Sequence, residues 1–203
     1  ENILPDTFRL EKGSIDSLSV SYGEVGQLYV LDGTRVESAY DAGSSQYRFE
    51  MQGGRLLLPF KGCPEFSLMS GTAQFNHASR RVNVPSCRLT TAAGGYLDIK
   101  GDWDGSSSSW TANMVVNGVP ASSVLEDHWK KHVQGSVSGG IDLRGGRDGV
   151  THVAGLARLQ GGMLTGLPVL DRLALFCGSS RFRNLPLHEA SAQFTYQESA
   201  WHI

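Results

Sequence analysis

The chain is short of charge: 19% of its 203 residues are Asp, Glu, Lys or Arg, with a net charge of −2. So even a balance gives no argument for nucleic acid, or for an anionic membrane surface, as a partner. Long apolar runs are missing too. The longest, such as Leu56-Leu57-Leu58-Pro59-Phe60, fall far below the ~20 residues a spanning helix needs. Cysteine is sparse, and Cys63, Cys87 and Cys177 fit no metal-ligand spacing. Cys63 and Cys87 could pair if their strands are neighbours, leaving Cys177 free. The other reading makes the cysteines small buried apolar residues. No signal peptide is visible and the first residue is Glu1, so the sequence reads as a piece of a longer protein. Its length suits one domain or two small ones with a real core.

Glycine is plentiful, at 25 residues. Between the glycines the sequence alternates. Leu18, Val20 and Tyr22 interleave with serines; Tyr47, Phe49 and Met51 interleave with Arg48 and Glu50. Leu56-x-Leu58, Phe66-x-Leu68, Ala73-x-Phe75, Val82-x-Val84, Leu97-x-Ile99, Trp110-x-Ala112-x-Met114-x-Val116, Ile141-x-Leu143, Leu185-x-Leu187 and Phe194-x-Tyr196 continue the period of two. That period gives each strand one apolar and one polar face. Turn signals separate the runs: Asp32-Gly33, Gly53-Gly54, Gly94-Gly95, Asp104-Gly105, Asn117-Gly118, Gly145-Gly146, Asp148-Gly149 and Gly161-Gly162. The spacing predicts a dozen or more short antiparallel strands.

Two segments read as helices. Ser123 and Glu126 form a capping box opening a helix to about Lys131. Pro168 starts another that runs to Cys177 and stops at Gly178, with Leu170, Leu173, Ala174 and Cys177 on one face. Two short helices cover little of such a sheet, and an apolar sheet face needs a cover. Either the sheet folds over itself as a sandwich or barrel, the ordinary core, or it leaves an apolar trough.

One phrase occurs twice. Glu65–Val84 aligns with Asn184–Ile203 at constant offset: Leu68 meets Leu187, and Ala73-Gln74-Phe75 meets Ala192-Gln193-Phe194. After the first copy the chain runs on through "GGYLDIKGDWDG"; after the second it ends. The expectation is that Phe75 and Phe194 hold equivalent strand positions in successive units, and that further units follow in the parent protein.

The run "GGYLDIKGDWDG", then "MVVNGVPASSVLEDHWKKHVQGSVSGGIDLRGG", then "AGLARLQGGMLTGLPVLDRLALF", resembles the AsmA-like family, the AsmA/TamB-type envelope proteins. The likeness lies in the order of features: a strand ending in G-x-Trp, a strand pair leading to a short helix, and a Gly-punctuated stretch at Val133–Gly145. A hairpin running into a Leu-rich helix follows, and "FRNLPLHEASAQF" closes the unit. It divides the chain into an N-terminal β segment, 1–64, and an AsmA-like β-repeat region, 65–203, whose last unit is truncated. The resemblance implies a mostly β fold: an antiparallel, repeat-built curved sheet, an open groove or half-barrel, with two short α-helices. It also implies a periplasmic body anchored in the inner membrane of a Gram-negative bacterium, handling phospholipid between the two membranes.

Catalytic patterns are poor. His128 and His132 have zinc-like i, i+4 spacing, but no Glu follows the first and Lys130-Lys131 lie between. Gly135-Ser136-Val137-Ser138-Gly139 has Val137 where a nucleophile elbow needs its nucleophile. Asp102-Trp103-Asp104-Gly105 opens like a calcium loop, but the serines after it supply no carboxylates. The expectation is a non-enzymatic module without cofactor or metal. Its partners would be phospholipid or another acyl lipid, neighbouring repeat units and envelope proteins, and not nucleic acid. The candidate lipid-facing residues are Leu18, Val20, Tyr22, Tyr47, Phe49, Met51, Met114 and Val116. The alternative is a structural or assembly module that scaffolds envelope partners through its sheet edges.

Overall fold

The computed structural model describes residues 11–24, 27–58, 64–125, 127–197 and 200–202. Phe60, Cys63, Glu126 and Ile203, invoked above, lie outside them. The described residues form one antiparallel sheet of twelve strands, curved but not closed into a barrel. In chain order these are β1 (Lys12–Glu24), β2 (Gln27–Asp41), β3 (Gln46–Gln52), β4 (Arg55–Leu57), β5 (Phe66–Asn76), β6 (Arg81–Thr91), β7 (Tyr96–Asp104), β8 (Ser109–Pro120), β9 (Val133–Gly146), β10 (Gly149–Thr165), β11 (Asn184–Gln197) and β12 (Ala200–His202). Each strand lies beside its sequence neighbour. The one irregularity is β4, which pairs with β2 and β5 alongside β3. Gly53-Gly54 therefore interrupts a single rung instead of turning a hairpin.

Several strands are longer than expected, because three of the predicted turns are bulges. Gly33, Gly118 and Gly161 have φ of 71°, 62° and 57°. Each sits where its strand carries one residue more than its partner, between Leu31 and Thr34, Val116 and Val119, and Gln160 and Met163. Glycine with positive φ serves a hairpin turn and a bulge equally well, so the residue type alone does not separate them.

Three hairpins at one end of the sheet, β2–β3, β5–β6 and β7–β8, share a device. Asp41 accepts from the Gly43 N–H and Ser44 Oγ, Asn76 accepts from the Ser79 N–H, and Asp104 accepts from the Ser106 N–H. Each loop then ends on a left-handed residue, Ser45, Arg80 or Ser108. The side chain that starts the turn supplies the bond the backbone lacks.

Helices occupy the other end. The segment expected as one helix over Ser123–Lys131 is two turns, α1 (Ala121–Val124) and α2 (Asp127–Lys130). Ser123 lies inside α1 instead of capping it, and Leu125 is extended, with φ −91° and ψ 152°, which breaks the helix. The helix α3 (Pro168–Phe176) forms as expected, with Pro168 in its first turn, followed by a 3₁₀ turn at Ser180–Arg183. Among the described residues no helix is long and apolar enough to cross a membrane.

The buried core is small. Phe66, Leu68, Leu89, Leu97 and Val119 form it, with Leu31, Met51, Leu56, Leu58, Cys87, Ile99, Met114 and Val116 packed around. It lies toward the helical end.

Candidate functional site: an apolar sheet face

Residues directly opposite each other on adjacent strands share a face. One row can be followed across the sheet by register alone: Ile15, Val36, Met51, Gly71, Cys87, Ile99, Met114, Ile141, Gly155, Phe194. Every position from β1 to β11 is apolar or glycine. A second row, nearer the capped hairpins, is largely aromatic: Tyr40, Tyr47, Phe75, Val82, Trp103, Trp110. Tyr40 and Tyr47 have ring centroids 5.0 Å apart, and Tyr47 stacks on Phe49 at 6.4 Å.

Glycine keeps the face smooth where a large ring lies across it. A Cβ on Gly155 would stand 2.5 Å from Phe194 Cζ, and one on Gly145 would collide with the Trp110 indole. The aromatic side chain takes the space over the glycine of the neighbouring strand.

All eight candidate lipid-facing residues project from this face. Tyr47, Phe49 and Met51 line β3, while Met114 and Val116 lie on β8 opposite Ile99 and Leu97. Leu18 faces the buried Thr34, and Val20 and Tyr22 face Leu31 and Tyr29 on the edge rung. They are not equivalent. Met51, Met114 and Val116 pack against the core, whereas Val20 is 48% and Tyr22 78% exposed. The sequence reading missed Ile15, Tyr40, Trp103 and Ile141 as members of the same face. The alternation that would have found them reverses at each bulge, so it cannot be carried from one run to the next. Phe75 and Phe194 also share the face, as equivalent positions require. The hairpins that follow differ, since Asn76 pairs with Arg81 but Gln197 with Ala200.

The opposite face is mostly polar, though Val115 and Leu156 stand exposed on it, and is held by cross-strand pairs. Arg88 grips Asp98 with two bonds of 2.7 and 2.6 Å and lies 4.6 Å over the Tyr96 ring. Asn83 donates to Asp102, Asn113 to Asp142 and Arg55 to Asp32, each at 2.8 Å. Exposed pairs of this kind add little energy singly, but they fix which face stays in water. A hollow of about 510 Å³ lies mostly on this side, lined by Gln74, Asn83, Asp102 and Thr111 among others.

The remaining chemical patterns are occupied structurally. Asp104 caps its turn and meets Arg81 at 3.0 Å, and Asp102 holds Asn83. His132 Nδ1 bonds the Thr165 carbonyl at 2.8 Å, and α2 ends before His132, so the two histidines do not share a helical face. Among the described residues no group of three or more His, Cys, Asp or Glu could hold a metal. Cys87 and Cys177 are free thiols, and burial pushes the Cys87 thiol above its ordinary value, with Asp98 adding to it. That favours the inert thiol.

Hydrogen bonds from Ser106, with Arg81 assisting, lower the Asp104 carboxyl from 3.8 to about 2. The folded state therefore binds fewer protons here than the unfolded chain. Its stabilising contribution is complete above the unfolded value and fades as pH falls through about 2. Asp104→Asn should flatten this part of the acid limb in urea melts taken between neutral pH and pH of about 2. An unchanged limb would show the carboxylate contributes nothing to the hairpin.

Compared with family models, with curated proteins and with solved structures, the chain finds no match.

Proposed function

We propose that this chain is a non-enzymatic module that handles acyl lipid along the apolar face of its curved sheet. The observation that carries the reading is the register row from Ile15 to Phe194, apolar or glycine at each position, with no second layer of strands over it among the described residues. Each acyl CH₂ removed fully from water gains about 0.8 kcal/mol, and one resting on an open wall gains part of that. A lipid can slide along the row without a specific pocket while its head group stays in solvent. The motif order resembling the AsmA-like family supports placing the module in the periplasm, as part of an inner-membrane-anchored protein moving phospholipid toward the outer membrane.

Organic extraction and mass spectrometry of the purified protein tests this. Phospholipid should co-purify, and a fluorescent acyl probe should bind the delipidated protein and be displaced by phospholipid. A lipid-free preparation that also takes up no probe overturns it. One observation favours the second reading, a scaffold acting through sheet edges: β1 and β12 close neither on each other nor on another described strand. An added unit or an envelope protein could extend the sheet at either edge.

A further inference from the structure

The helix α3 is apolar on two sides. Leu170 and Ala174 are buried. Val169, Leu173 and Phe176, at i, i+4 and i+7, form a second stripe that faces solvent, with Leu175 beside it. Leu175 is 76% exposed and Phe176 92%, the most exposed large apolar side chain among the described residues. An ordinary surface scatters such residues singly; here they are contiguous on one helix.

The charge around the stripe is basic. Arg172 lies on the same helix, and Arg181 and Arg183 follow in the 3₁₀ turn. Arg183 stands 3.7 Å from Asp171, while Arg172 and Arg181 make no ion pair among the described residues. The second helical connection reaches the same end. Thr165, just before α3, donates its backbone N–H to the His132 carbonyl at 2.9 Å and its hydroxyl to the Lys131 carbonyl. That brings Trp129, 42% exposed, and Lys130-Lys131 to this end of the sheet. Over both connections the sequence has five basic residues against three acidic, Glu126, Asp127 and Asp171, although the whole chain is net negative. The near-neutral total conceals a small basic excess on the two helical connections.

We infer that this helical end docks on an anionic lipid surface, with Phe176, Leu175 and Val169 entering the acyl boundary and Arg172 and Arg181 meeting lipid phosphates. Protruding apolar side chains flanked by Arg, with Lys and Trp on the neighbouring connection, match the layered polarity of a membrane interface. A folded protein partner would need a pocket for Phe176 and carboxylates for the arginines; a lipid layer needs neither to be preformed. The inference stands whether or not the sheet face takes lipid.

Vesicle flotation is the test, using equal parts phosphatidylglycerol and phosphatidylcholine, with pure phosphatidylcholine as the neutral control. The intact chain should float with the anionic vesicles, less with the neutral ones, and less again as salt is raised. Phe176→Asp and Leu175→Asp should each lower the partition coefficient about tenfold or more. Both positions are exposed, so thermal melts should not change. Leu156→Asp, exposed on the opposite face of β10, should float like the parent, and Phe176→Asp should still co-purify with lipid, which separates this surface from the lipid-handling face. Absence of flotation, or flotation indifferent to Phe176→Asp, overturns the inference. So does sedimentation showing that the stripe is covered by a second copy and that dimer formation, not vesicle binding, is lost in Phe176→Asp.

Discussion

Phe49→Asp should leave the sheet folded and empty of lipid, whereas Leu89→Asp should unfold it. The two residues share the apolar face but not its environment. Leu89 is 1% exposed at the centre of the core, opposite Leu68 and Leu97. A carboxylate there has no cation or donor to meet, and an unpaired buried charge costs several kcal/mol, comparable to the whole stability of a domain. Phe49 is half-buried on β3, opposite Ala73 and Ser38, and is outside the core cluster. A carboxylate at that site can reach water, so the cost of substitution is lost ring packing against Tyr47. It also sets a charge in the path of any sliding acyl chain. Urea melts and lipid extraction on both variants check this. Met114 is the poorer probe, because it packs against the core and mixes the two effects. If Phe49→Asp also unfolds, the face near β3 is core and the lipid reading loses its ground.

Gly95→Val should be as damaging as Leu89→Asp, by a different route. Gly95 has φ +78°, a region β-branched residues avoid. A Cβ there would also stand 2.6 Å from the Val119 nitrogen and Cα. Neither contact is with a flexible side chain, so the backbone must move. Val119 is fully buried, and displacing it opens the core at the β7–β8 junction. Strain and lost packing together should cost about 3 kcal/mol or more. Gly94→Ala is the control: its φ is also positive, but nothing lies within 4 Å of its Cβ. It should lose only the conformational part, about 1 kcal/mol. Equal destabilisation by the two would show that the close approach at Val119 does not matter.

The fold class was legible because period two survives in short windows, and each window names its own apolar side. What could not be read was the phase between windows. Leu97 and Val116 share a face, and so do Val119 and Val137, but Gly118 inserts one residue between the two pairings. Only the partner strand records that insertion. The break at Leu125 was hidden for a related reason: a four-residue turn carries too little pattern to distinguish it from the start of a longer helix. The hairpin caps were partly visible. Asp104 before a serine run marks a loop, but the common role of Asp41, Asn76 and Asp104 shows only when their side chains are seen to accept from their own turns. The exposed stripe on α3 is invisible to composition, because Leu173 and Leu170 read alike until one of them is found in solvent.

The order of strands in the sheet has a kinetic consequence. With each strand bonded to its sequence neighbour, nearly all long pairings close loops of a hairpin's length or one helical excursion. Loop-closure entropy is then incurred in small instalments, and no pairing must wait for a distant segment. A nascent chain can add rungs in the order they emerge from the ribosome, each new hairpin using the last as its template. The hazard is the reverse of the usual one. At every stage the newest strand presents an unpaired edge and half an apolar face, so the growing chain itself, more than the finished sheet, is the species that needs a chaperone's protection.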